Sequence, residues 1–269
     1  MPDVALTSPM PARTTRKGYR TMIPDPLEAF RRAAAATLAR MEQAFVERAL
    51  TLPGLLAGEV VNGARRVVTN TAQLALDAVQ MLVRLPHHLA DMLADSWRGP
   101  DARALTVRER LAIADAYGYR ARPDLLRIVN GPGLSAIPRA AFENGNPAIT
   151  IGNTIYLRPA SNWPKKDLMA KPEGAALLMH EVMHTIQYRE MGYSRFAARY
   201  GVDMTTVRGK AGDMYKYGKR RRQFNAEMLE GQAEMVSDYY TVLHSTNPKL
   251  AVQRAALQRR LKGTGIYGL

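Results

Sequence analysis

The pentapeptide His180-Glu181-Val182-Met183-His184 lies in an otherwise apolar run, Leu177 to Ile186, that reads as helix. Two histidines four residues apart share one helix face, so both imidazoles can reach the same metal ion. The glutamate between them projects toward that ion and can take a proton from a metal-bound water. With five histidines and twelve glutamates in 269 residues, about 0.004 chance occurrences of the pattern are expected. The fold must therefore offer a helix here and a second element that brings a third ligand to it.

That third ligand cannot be a thiolate, because the chain has no cysteine. Histidine and carboxylate remain, a four-cysteine structural site is excluded, and the redox compartment is left open. The downstream segment Asn225 to Tyr240 is the natural source. Glu230, Glu234 and Asp238 share a helix face there, at i, i+4 and i+8. Zinc peptidases whose third ligand is glutamate often carry Glu-x-x-(Ala/Ser)-(Asp/Glu/Asn) on such a helix. The first acid binds zinc and the later one orients a ligand histidine. Glu230-Gly-Gln-Ala233-Glu234 fits that template, with Glu230 as ligand and Glu234 behind a histidine. Glu234 itself, Glu227 or a histidine stay open as alternatives, as does a solvated acidic face paired with arginines.

Around this site the sequence reads as α+β and mainly α, since alanine, leucine and methionine are abundant and aromatics make up only 7%. Residues 1–24, rich in proline, threonine and basic side chains, read as a basic flexible tail. Residues 25–100 read as a helical hairpin region, with breaks at Pro53-Gly54 and Pro86 and a short segment running to Gly99-Pro100. Residues 101–269 form the domain that carries the motif. Thr106 to Glu109 is a capping box that starts a helix to about Tyr117, and Leu125 to Val129 reads as a strand. Ala148 to Ile151 and Thr154 to Leu157, joined by Gly152-Asn153, predict an antiparallel hairpin. Thr154 to Leu157 could offer an edge to extended peptide. The motif helix is expected from Pro172 to about Met191, capped by Gly192. Further helices are expected over Asn225 to His244 and from Pro248 to Lys262.

Other polar residues are less decided. Tyr215, Tyr217, Tyr239 and His244 are candidate donors to a developing oxyanion. Gln187 stands one turn beyond His184 and could bond near the site. His87 and His88 point apart on a helix and read as surface residues. The basic tail over 1–24 or the segment Gly263 to Leu269 could cover the cleft.

Net charge is +14, concentrated at Arg13 to Arg20, Arg208 to Arg222 and Arg254 to Lys262. Such patches can contact an anionic surface. A solvated basic face is the plainer reading, and no nucleic-acid-binding module accompanies them, so nucleic acid is not the expected partner. The basic residues near the N-terminus lead into Pro24-Asp25-Pro26, so no signal peptide is expected, and no window reads as a transmembrane segment.

Three stretches together resemble a known family: Gly152-Asn-Thr-Ile-Tyr-Leu157, Leu177 to Gln187, and Glu230-Gly-Gln-Ala-Glu-Met-Val-Ser-Asp-Tyr239. They look like a bacterial HExxH zinc metallopeptidase domain of glutamate-zincin type. Its relatives occur near extracellular contractile injection systems and in proteins related to type VI secretion spikes. The resemblance spans roughly residues 125–245. It implies a zincin-like core with a small antiparallel hairpin or sheet before the active-site helix. It also implies Zn2+ held by His180, His184 and Glu230, with Glu181 as general base. The implied partners are a peptide or protein substrate and the secretion or injection machinery. Synthesis in the bacterial cytoplasm would be followed by export through a dedicated secretion system. The competing expectation is a zinc-stabilised binding or secretion-associated module that cleaves little. The intact Glu181 favours the enzyme, because a purely structural site has no use for a base there.

Overall fold

The computed structural model describes residues 73–269. The expected tail over 1–24 and the helices placed before residue 73 lie outside the described residues. Residues 73–84 are helical, and Pro86 stands at the start of α1 (His87–Ser96). The stretch expected to be a short connection is thus a helix of its own. Pro86 ends one helix and caps the next, because proline is accepted where an amide hydrogen would have no partner.

Four short strands follow, interleaved with two helices: β1 (Ala102–Ala104), α2 (Val107–Tyr117), β2 (Arg127–Asn130), α3 (Ala136–Glu143), β3 (Ala148–Ile151) and β4 (Thr154–Leu157). The remaining helices are α4 (Pro172–Thr206), α5 (Tyr217–Arg220), α6 (Leu229–Leu243) and α7 (Ala251–Leu261). The described residues are therefore mainly helical, α+β, with one small sheet.

The capping box forms as expected: Glu109 N–H donates to Thr106 Oγ1 at 3.1 Å, and Thr106 N–H donates to Glu109 Oε2 at 2.7 Å. The hairpin forms as well, with Ile151 opposite Thr154 and Ala148 opposite Leu157. Gly152 takes φ 57° in its turn, as a two-residue hairpin loop requires. A Cβ there would also run into the Tyr193 hydroxyl.

The sheet differs from expectation in two respects. It is mixed, not simply antiparallel: in the order β1-β2-β4-β3, β2 runs parallel to β4 and the other two pairs are antiparallel. A parallel pair needs a crossover, and α3 supplies it. The sequence hides α3 because Pro138 sits inside it, yet proline is tolerated in a first turn, and Ser135 caps it by accepting from Ile137 N–H at 3.2 Å. The second difference concerns the edge. All four residues of β4 are buried in the sheet interior, so Thr154 to Leu157 presents no edge; β1 and β3 do.

The core lies between sheet and helices. Ile128, Ile155 and Leu157 pack with Leu178, Met179 and Val182 of α4, all essentially solvent-free. Each such side chain contributes about 1.5–3 kcal/mol by leaving water. α6 packs along α4 through Ala233 and Val236, and α7 adds Leu257 and Leu261. The Tyr117 hydroxyl donates to Met179 O and ties α2 to the same helix. α4 is interrupted at Gly192 (φ 73°, ψ 165°), where the motif helix was expected to end; helix resumes beyond it to Thr206. The C-terminal Gly263 to Leu269 contains a 3-10 turn, buries Ile266 in this core and sets Tyr267 against Tyr239. These contacts make it part of the core packing, not a cover for the cleft.

Candidate metal centre

α4 projects His180 and His184 toward the first turn of α6, where Glu230 waits. His180 Nε2, His184 Nε2 and Glu230 Oε2 form a triangle with all three sides 3.2 Å. Ligand atoms about 2.05 Å from a tetrahedral zinc stand about 3.3 Å apart, so the triangle has the dimensions of one face of such a site. All three side chains are buried. His180, His184 and Glu230 can thus hold a metal ion together.

The protonation pattern suits that use. His180 Nδ1 lies 3.2 Å from Glu234 Oε2, and His184 Nδ1 lies 2.8 Å from Gln187 Oε1. With Nδ1 donating in each ring, both Nε2 atoms are left with a lone pair facing the centre. On its own the trio instead draws protons, which a metal ion would displace from the Nε2 atoms. Burial opposes protonation of His180, but hydrogen bonds to Glu230 and Glu234 outweigh it and raise its pKa to about 10. His184 is raised too, burial again opposing and the Glu230 charge prevailing. Burial likewise opposes ionisation of Glu230, yet the histidines hold its carboxyl well below the usual range. A divalent cation meets the same demand.

Glu181 comes from the same helix, 5% exposed. The Thr150 hydroxyl, on β3, donates to its Oε2 at 2.7 Å. The edge strand beside the site is therefore β3, not β4, and it also fixes the Glu181 carboxylate.

Two supports were not decided by spacing alone. Gln187 is 2% exposed and spans the site: its amide nitrogen donates to Leu229 O at 3.1 Å and to Gln232 Oε1 at 2.9 Å while its oxygen faces His184. Asp203, near the end of α4, accepts from Leu229 N–H at 2.9 Å and so caps α6 where α6 has no capping side chain of its own. Thr150 gave no signal beyond its place in the hairpin, and Asp203 gave none.

The remaining candidates separate cleanly. Glu227 is not at the triangle: it is fully buried and paired with Arg220, Nε to Oε1 at 2.5 Å. Asp238 accepts from the Tyr217 hydroxyl at 2.5 Å. Tyr239 faces Tyr267, and His244 Nδ1 lies 2.9 Å from Tyr240 O. His87 stands 3.5 Å from Asp91, and both it and His88 are exposed. Tyr215 alone of the four oxyanion candidates reaches the site. Its ring stacks on His180 with centroids 5.7 Å apart and planes 16° from parallel. The residue as a whole is 36% exposed, but desolvation of its hydroxyl end, then the Glu230 charge, with a hydrogen bond to Glu230 adding to it, pushes the hydroxyl above the usual phenol range. A cleft of about 510 Å³ opens beside it, lined by Tyr215, Tyr217, Glu234, Asp238, Leu257 and Arg260.

Residues 126–192 match the family described as the eCIS core domain, which associates the chain with contractile injection systems. The match runs from the start of the sheet's centre to the Gly192 break and takes in His180, Glu181 and His184. Glu230 and Glu234, within the wider stretch that the sequence resemblance covers, lie beyond it. Among solved structures, the effector domain of Pseudomonas aeruginosa VgrG2b is similar at 17% identity and a TM-score of 0.42, over 70% of this chain and 97% of that one. That likeness is too distant to bear on the site. A comparison with curated proteins returned no match.

Proposed function

We propose that this chain is a zinc-dependent metallopeptidase of the contractile injection context, with residues 101–269 as its zincin-like catalytic domain. The observation that carries the reading is the 3.2 Å triangle of His180, His184 and Glu230 with an anchored Glu181 carboxylate beside it. His180, His184 and Glu230 would hold the zinc, and Glu234 would fix the His180 ring. Zinc, when bound, supplies Lewis acidity that polarises a peptide carbonyl and makes water acidic enough to lose a proton near neutral pH.

The chain's own groups account for the rest. Thr150 occupies Oε2 of Glu181, which leaves Oε1 to take the proton from the attacking water and pass it to the departing amine. The Tyr215 hydroxyl stays protonated at neutral pH and can donate to the carbonyl oxygen as charge builds there. The outer edge of β3, which has no sheet partner among the described residues, can pair with an extended substrate backbone. Among the described residues no helix is long and apolar enough to cross a membrane. The basic surface can assist contact with anionic surfaces there.

A second reading is a zinc-stabilised module with little hydrolysis. One observation favours it: His180, Glu181, His184 and Glu230 are at most 7% exposed, which narrows access for a peptide. Metal analysis of the purified protein beside Glu181→Gln separates the two. The enzyme reading expects one zinc per chain in both proteins and cleavage of labelled casein only by the wild type. Equal zinc with no Glu181-dependent cleavage leaves the second reading.

A further inference from the structure

The segment from Val207 to Gln223 carries Tyr215 across the site, and Met214 is its only buried side chain. Apolar anchoring is thus slight, and something polar must hold the segment down. Beyond Tyr215 the Tyr217 hydroxyl donates to Asp238 and Arg260 Nε donates to Arg222 O at 3.0 Å; next to Tyr215 itself, Arg220 supplies the contact. Its Nη1 donates to Asp213 O and its Nη2 to Met214 O, each at 2.5 Å, so both carbonyls just before Tyr215 end on one guanidinium. Its Nε donates to Glu227 Oε1 at 2.5 Å.

Glu227 in turn belongs to the metal side of the molecule. It lies three residues before Glu230, fully buried, and its Oε1 also accepts from Met228 N–H at 3.0 Å. Arg199 of α4 donates to its backbone oxygen at 3.0 Å, and Arg260 of α7 faces Oε2 at 3.7 Å. Gly231 makes the room. A Cβ at that position would stand 2.7 Å from Glu227 Cγ and 2.9 Å from Arg220 Nη2. Glycine is a poorer helix former than alanine, and here it leaves space for the ion pair.

We infer that Arg220, seated on Glu227, is the positioning residue that holds Tyr215 over the metal centre. The planar guanidinium has the geometry for this, with its three nitrogens satisfied on two sides of a junction that a lysine could not span. The inference rests on the reading of Tyr215 as a donor to the substrate carbonyl, but the clamp has a signature of its own. The segment carries exposed Arg208, Lys210, Lys216, Lys219, Arg221 and Arg222, so trypsin reports any loosening.

The test compares Arg220→Ala, Tyr215→Phe and the double variant in the full zinc-loaded chain, together with Arg220→Ala/Glu227→Gln, which removes both charges in case a buried lone carboxylate prevents folding. Expected are one zinc per chain throughout, tenfold faster tryptic cutting within 207–222 whenever Arg220 is absent, and no such change in Tyr215→Phe. On labelled casein, Arg220→Ala is expected to lose as much kcat as Tyr215→Phe with KM little changed, and the double variant no more than either. Wild-type trypsin resistance in both Arg220 variants overturns the clamp, and so do multiplicative losses of kcat in the double variant. If Tyr215→Phe keeps full kcat, the reading of Tyr215 fails instead, and the trypsin comparison alone decides whether Arg220 holds the segment.

Discussion

Gln187 and His184 are joined by a 2.8 Å contact between Oε1 and Nδ1, and the same glutamine amide reaches Leu229 O on the neighbouring helix. One side chain thus sets the histidine's tautomer and the spacing between α4 and the first turn of α6. Gln187→Leu keeps the size but removes both bonds. It is predicted to weaken zinc binding about 10–100-fold, read by competition with a chromophoric chelator. Wild-type affinity in a folded Gln187→Leu protein sinks this role.

Glu230 and Glu227 stand one turn apart, both buried, with different partners. Glu230→Ala is predicted to abolish stoichiometric zinc. Glu227→Ala is predicted to keep one zinc per chain while losing about 3–5 kcal/mol of stability, because Arg220 is left without its carboxylate. Zinc content beside urea unfolding checks both, and the reverse pattern of zinc loss overturns the ligand assignment.

Much of this centre was legible in the chain because its parts are periodic. His180 and His184, then Glu230 and Glu234, each fall one turn apart, and helical spacing alone puts each pair on one face. The capping box at Thr106 and the Gly152-Asn153 turn are equally local signals. What stayed hidden depends on contacts distant in sequence. Thr150 and Glu181 are 31 residues apart, and Asp203 and Leu229 are 26 apart. No spacing rule links such pairs. β1 is three residues of alanine and arginine, with none of the β-branched character that marks a strand. The parallel pairing of β2 with β4 follows from the α3 crossover, and strand patterns alone do not encode it. Glu227 was a rival ligand by register. Only the position of Arg220 removes it.

The Thr150 hydroxyl has one carboxylate oxygen to serve, and the side chain is 4% exposed. Thr150→Val preserves the shape of β3 and deletes that donor. The prediction is a fall in kcat on the order of tenfold, as expected when a positioned base loses its orienting bond, with zinc affinity unchanged. Casein cleavage and chelator competition on the same preparation test it. A drop in zinc affinity with kcat intact would assign Thr150 to the metal instead.

Zinc would link α4 to α6 directly through His180, His184 and Glu230. Binding to the folded state at 1,000 times the dissociation constant adds about 4 kcal/mol of stability, so chelation is predicted to lower Tm by about 10 °C for a chain of this size. Calorimetry with and without EDTA, followed by zinc add-back, measures the shift. An unchanged Tm means that the three side chains do not hold a metal in solution.

Glu109 supplies a separate pH dependence, remote from the metal. Its side chain is fully buried, and burial alone would raise its pKa. The hydrogen bonds from Arg103 at 2.7 and 2.8 Å, with those from Leu168 N–H and Thr106 N–H, outweigh burial and lower it below the usual 4.5. A carboxylate whose folded pKa is depressed stabilises the fold fully above the unfolded value, and that contribution disappears as pH falls through the folded value. Glu109→Gln removes the titration. The Tm gap between wild type and Glu109→Gln is therefore predicted to be constant from pH 7 to about 5 and to shrink steadily below about 4.5. Thermal melts of both proteins across pH 3 to 7 give the gap directly, with other acid-labile groups cancelling in the difference. A gap that stays level to pH 3 would mean that the Arg103–Glu109 pair and its two backbone donors do not govern the acid limb.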